Sequence, residues 1–264
     1  MLENAEPIFY REVGAGPPLL LIHGSFSNGP ATWAAQTDEL RRHHRLIVVD
    51  RRGHGRSPAE PRPYTIAGDA VDVLEAADRA GAAEFHVVGH SYGGLVALEM
   101  ARIAPRRIHS LHVIEPPYLL LLPDDSDLSP MIQMARDNFR NSGAKGPERT
   151  AATFMEMIIG PAALANLRAG PAWPGIVREA GRAAHESFPA AYPPEHLAEL
   201  SVDYPVRVFT GGRSHPGLRK VARRLAELIP GARLVEVPEA SHAVQLTTYL
   251  FHPALLEVTA GGGR

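Results

Sequence analysis

The sequence predicts an α/β protein with a mostly parallel central sheet, helices on both faces and a helical segment inserted into the sheet. Three observations carry this reading. Short runs rich in Val, Ile and Leu alternate with turn residues or helical stretches along the chain. Those runs are apolar on both faces, as parallel strands buried between two helical layers must be. The alternation is interrupted once, between Tyr118 and Leu200.

The strand candidates are Pro18 to Ile22, Leu46 to Val49, Phe85 to Val88, Leu111 to Ile114, Val206 to Phe209 and Leu234 to Val237. Parallel neighbours need right-handed crossovers, and helices fill the gaps. Ile66 to Arg79 carries Ala70, Val73, Leu74 and Ala77 at helical spacing, and Leu218 to Leu228 is ended by Pro230-Gly231. Between residues 118 and 200 no strand-like run is found. Short helical patterns stand there instead, Pro130 to Asn141 and Ala151 to Ile159 among them, separated by Gly-Pro pairs at 146–147, 160–161 and 170–171. The expected organisation is a core made of residues 1–117 and 201–264 with a helical cap, 118–200, inserted into it.

Composition narrows the function. The chain has 264 residues, 45% hydrophobic and 21% charged, with 24 Gly and 24 Pro, and it shows no period of a repeat protein. Folding a chain of this length buries roughly 70–75% of the unfolded surface, enough for one large core. The absence of Cys excludes disulfides, zinc–thiolate and iron–sulfur sites and a Cys nucleophile, and neither a cofactor nor a metal is expected. A net charge of −2 provides no basic field for nucleic acid or an anionic membrane. No uninterrupted apolar run is long enough to span a bilayer, and Met1 to Gly14 lacks the basic start and apolar stretch of a signal peptide. A cytoplasmic protein acting on a small molecule is expected, with a homodimer left open.

The sharpest local feature is Val87-Val88-Gly89-His90-Ser91-Tyr92-Gly93-Gly94, which runs into Leu95 to Met100: a buried strand, a G-x-S-x-G turn and a helix. This context raises Ser91 on a strained bend, lets strand and helix approach at the glycines, and points a helix N-terminus at the hydroxyl, where an oxyanion is stabilised. A serine hydroxyl is a weak nucleophile until a base takes its proton, so a histidine is required downstream. His242 stands on the loop after the last strand, and His252, expected to begin a helix, is its nearest rival. His90, beside the nucleophile on a sharp turn, reads as a structural histidine.

With His23-Gly24-Ser25-Phe26 after the strand Leu19 to Ile22, and Asp50-Arg51-Arg52-Gly53-His54-Gly55-Arg56-Ser57 as a D-x-x-G-x-G-x-S turn, the chain resembles the α/β-hydrolase superfamily over almost its whole length. The resemblance implies the α/β-hydrolase fold and makes Ser91 the nucleophile and His242 the general base. It also implies that Tyr92 and Ser25 supply the oxyanion-hole N–H groups, with Phe26 second to Ser25, and that His23 orders the oxyanion loop. Many members carry an Asp after the penultimate strand, but here that loop is Gly211-Gly212-Arg213-Ser214-His215-Pro216-Gly217. Other branches place the acid after the strand that follows the nucleophile helix, which is the position of Glu115. Pro116 is expected to force Glu115 into an extended conformation and Pro117 to stiffen the exit. Glu239 is the next candidate acid.

Relatives that dehalogenate or open epoxides use an Asp nucleophile, so Ser91 implies hydrolysis of a carboxylic ester or lactone through an acyl-enzyme. Hydrolysis of a C–C bond in a β-diketone-like substrate and a non-hydrolytic ligand-binding role are the alternatives. Candidate substrate contacts are Phe26, Tyr118, Met131, Met134, Phe154 and Trp173, which would make the substrate largely apolar. Arg51, Arg52 and Arg213 are the candidates for a clamp on a substrate carboxylate.

Overall fold

The computed structural model describes residues 6–59, 65–133, 136–137, 146–182 and 192–259. Seven strands form one sheet: β1 (Tyr10–Val13), β2 (Pro18–Ile22), β3 (Arg45–Val49), β4 (Phe85–His90), β5 (Ile108–Ile114), β6 (Val206–Gly211) and β7 (Arg233–Val237). Their spatial order is β1-β3-β2-β4-β5-β6-β7. All pairs are parallel except β1 with β3, where Tyr10 faces Val49 and Val13 faces Leu46 in an antiparallel register. Each of the six expected strands is present, some longer by one to three residues. The edge strand β1 was not legible, because Tyr-Arg-Glu-Val, half-exposed and short, has none of the apolar run that marks its buried neighbours.

Helices α1 (Gly29–Leu40), α2 (Ile66–Arg79), α3 (Tyr92–Ile103), α6 (Pro216–Leu228) and α7 (Thr248–Thr259) flank the sheet, and α4 (Pro147–Ala169) and α5 (Trp173–Arg182) lie between β5 and β6. Alternate residues along each strand feed two cores. Leu20, Ile22, Val87 and Leu111 pack under α2, α3 and α6, while Leu19, Leu21, Val88 and Phe209 pack under α1 and α7. Each such fully buried side chain is worth about 1.5–3 kcal/mol of transfer free energy, which is why the sheet is the rigid part of the scaffold.

Among the described residues, every regular element from Leu119 to Glu199 is helical. Gly146 precedes α4, Gly160 (φ 79°) ahead of Pro161 breaks it into two segments, and Gly170 ends it, so the three Gly-Pro pairs mark three real punctuations. By length and composition α4 is apolar enough to cross a bilayer. The Gly160 break, however, divides it into segments each too short to do so. Half of the expected helix Pro130 to Asn141, residues 134–135 and 138–141, lies outside the described residues. His252 sits within α7, which begins at Thr248 and not, as expected, at His252.

Candidate active site

The topology brings five loops to one edge of the sheet, because parallel strands all end there. The segments following β2, β4, β5, β6 and β7 carry His23 to Asn28, Ser91, Glu115, Ser214 and His242 in that order. Ser91 adopts φ 53° and ψ −122°, a sparsely populated conformation for a residue with a side chain, and its N–H donates to Ile114 O at 2.8 Å. The turn is possible only with glycine at 89, where a Cβ would lie 2.2 Å from Gly93 O. Across from it, a Cβ on Gly24 would lie 2.9 Å from Ser91 Cβ, so the loop after β2 is pressed directly against the serine.

His242 and Glu115 form the tightest contact of the site. His242 Nδ1 donates to Glu115 Oε2 at 2.7 Å, which turns Nε2 of the ring to the other side. Glu115 is fully buried and accepts three further hydrogen bonds, from Thr210 Oγ1 (2.8 Å) and the Gly211 N–H (2.9 Å) at Oε1 and from Ser214 Oγ (2.5 Å) at Oε2. Burial alone would raise its pKa, but the hydrogen bonds and the imidazole outweigh it and hold the carboxyl below the ordinary value. Glu239 is exposed.

The expected extended conformation of Glu115 is not found. Its φ is 42°, in the left-handed region, so the carboxylate is aimed by a strained bend and by the donors around it, with Pro116 following. His90 Nε2 donates to the His242 carbonyl at 3.2 Å, and the two rings lie 4.9 Å apart. Burial, together with the neighbouring His242, lowers the pKa of His90 to about 3, so it serves as a neutral strut under the histidine loop. His23 accepts from the Arg51 N–H at Nε2 (2.9 Å), leaving Nδ1 to donate to Gly24 O (2.7 Å).

A narrow cavity contains Ser91, His242 and Ser25 on its polar wall. Its remaining lining is apolar: Pro117, Leu119, Met131, Phe154, Met157, Ile158 and Leu218. Phe154, Met157 and Ile158 share one face of α4 at helical spacing, a signal already present in the stripe of apolar residues there. Leu218 lies in the first turn of α6 and carried no sequence signal for a site.

Three expected contacts do not line the cavity. Tyr118 is buried, with its hydroxyl donating to Pro193 O. Phe26 and Trp173 pack in a separate core with Ala151, Leu164 and Ala180, and the Trp173 indole N–H donates to Glu148. Met134 lies outside the described residues. Two of the candidate clamps are also occupied elsewhere: Arg51 pairs with Asp69 (2.7 Å) and Arg52 with Asp72 (2.6 Å), both buried. Among the described residues, no group of three or more metal-ligating side chains is present.

The Alpha/beta hydrolase family profile matches residues 19–254, which take in strands β3 to β7, all of β2 but Pro18, and every residue of this site. The chain belongs to the alpha/beta hydrolase family. Among solved alpha/beta hydrolases, it is 28% identical to one from Sphaerobacter thermophilus, with a TM-score of 0.71 and 95% of each chain covered. It is 26% identical to a hydrolase from Pseudomonas aeruginosa, with a TM-score of 0.66 and coverage of 96% of this chain and 94% of the other. The named carbamate hydrolase RutD of Azorhizobium caulinodans is 36% identical over 107 residues. That match spans only 40% of this chain and 40% of RutD.

Proposed function

We propose that this protein is a serine hydrolase that cleaves a carboxylic ester or lactone of a largely apolar small molecule through an acyl-enzyme. Ser91 Oγ attacks the substrate carbonyl while His242 Nε2 accepts its proton. Glu115 keeps the His242 proton on Nδ1 and stabilises the imidazolium that forms. The Tyr92 and Ser25 N–H groups receive the oxyanion, each worth about 3 kcal/mol in the transition state. The protonated imidazole then gives its proton to the departing alkoxide, leaving Ser91 acylated. Water, deprotonated by the same imidazole, attacks the acyl carbonyl and restores the serine.

The observation that carries this reading is the 2.7 Å Glu115–His242 contact on a histidine that shares one cavity with Ser91. The apolar lining supports an uncharged acyl group, since a substrate carboxylate there would lose its hydration without a cation to meet it. The described helical elements between Leu119 and Glu199 act in this account as a cap over the acyl group. A fluorophosphonate probe is expected to label Ser91 and not Ser91→Ala. Failure to label folded protein would remove the hydrolase reading and favour a ligand-binding one.

A carbamate is a second reading, favoured by the match to RutD. It needs the same attack on a carbonyl but expels an amine. A panel of esters, lactones, carbamates and β-diketones separates these cases, with the ester or lactone expected to give the highest kcat/KM.

A further inference from the structure

Glu179 belongs to α5, yet its carboxylate is inserted into the core beneath the loop that follows β2, where it is 1% exposed. Oε1 accepts from the Asn28 side-chain amide and Oε2 from the Gly55 N–H, each at 3.2 Å, and His54 Nδ1 lies 3.5 Å from Oε2. One turn further along the same helix Arg182 donates to the Gly55 carbonyl, so two side chains of α5 grasp both polar groups of a single core residue. Burial would raise the Glu179 pKa, but these partners, His54 foremost, hold it at about 2, so the carboxylate is ionised throughout the working range. A buried charge this well met is a built contact.

Both anchors lead to the oxyanion loop. Asn28 closes that loop and caps α1, its Oδ1 accepting the Ala31 N–H at 3.0 Å. The His54 ring stands edge-on to the His23 ring at 5.2 Å, and His23 holds Gly24, which abuts Ser91. We propose that Glu179 is a positioning residue that clasps the cap to the oxyanion loop, so that the hole around Ser25 is fully shaped only while α5 is seated. The proposal rests on the hydrolase reading for its catalytic consequence, and on the contacts alone for its structural one.

The test uses the full chain with Glu179→Gln, which preserves shape, and Glu179→Ala. Hydrolysis of 4-nitrophenyl butyrate is compared with that of its thiono analogue, whose C=S accepts hydrogen bonds poorly. A shaped hole favours the oxygen ester, whereas simple loss of folded enzyme lowers both rates equally. The preference for the oxygen ester is expected to fall about tenfold in Glu179→Ala and less in Glu179→Gln, mostly through kcat. Hydrogen exchange across residues 23–28 is expected to accelerate in both variants. An unchanged preference in an active variant overturns the clasp. If the wild type cleaves neither ester and Ser91 resists the probe, the hydrolase reading falls, and unaltered exchange at 23–28 then overturns the clasp by itself.

Discussion

Replacing Glu115 with Gln would preserve the side-chain shape and remove the charge that orients His242. A fall in kcat of about 10³–10⁴-fold is expected, the cost of leaving the imidazole in the wrong tautomer. Ser214→Ala removes one donor to the same carboxylate and leaves Thr210, Gly211 and His242 in place. Its expected cost is about tenfold in kcat/KM, in line with a hydrogen bond to a charged group. Steady-state rates on one ester measure both. The contact of Glu115 with His242 was legible only through the family resemblance, which offers an acid position after the strand that follows the nucleophile helix. Thr210 and Ser214 were not, since a hydroxyl that meets a carboxylate 95 or 99 residues away has no spacing to read. The bend at Glu115 was misread for a related reason: the preference imposed by Pro116 is local, and four hydrogen bonds to the carboxylate override it.

Among the elements, the strands buried on both faces were the most legible and α2 was read to its last residue. Thr65 explains that precision at one end, because its hydroxyl accepts the Gly68 N–H at 3.0 Å and starts the helix cleanly. Thr65→Ala is expected to cost about 1 kcal/mol, lowering Tm by about 2–4 °C in a thermal melt. The helical insertion was legible as helices and breaks but only partly as a binding wall. Whether Phe154 or Trp173 faces the cavity depends on how α4 and α5 pack on each other, which periodicity along one helix does not encode. Phe154 turns inward while Trp173 is retained by the inter-helix core and by Glu148.

For the molecule as a whole, the sheet carries a second set of histidines away from the cavity. His86 Nδ1 and His112 Nε2 both meet Ser110 Oγ at 2.7 Å, and His44 Nε2 meets Thr259 Oγ1 at 2.9 Å. Burial, and then His44 and His109, lower His86 to about 4; burial, and then His86, Arg207 and His44, lower His112 to about 3; His44 is lowered by burial and by His43. Folded pKa values below the ordinary 6.5 mean that the unfolded chain binds more protons as the solution is acidified. The stability contributed by these groups is therefore complete above about pH 6.5 and is lost as pH falls toward the folded values. Urea midpoints are expected to drop between about pH 7.5 and about pH 5, each of His86 and His112 contributing up to about 2 kcal/mol, and His86→Gln or His112→Gln should flatten the slope.

One contact described above reaches beyond this chain. Ser214 Oγ lies 2.5 Å from Glu115 Oε2, so the segments that follow the adjoining strands β5 and β6 present two side chains to the same point beside the imidazole. Negative charge can be supplied there from either segment, and a lineage could pass the acid sideways, one substitution at a time, without remodelling the sheet. Glu115→Ser paired with Ser214→Asp would retrace such a step, and recovery of turnover over Glu115→Ser alone would show that the anion's location, not its address in the chain, is what the imidazole requires.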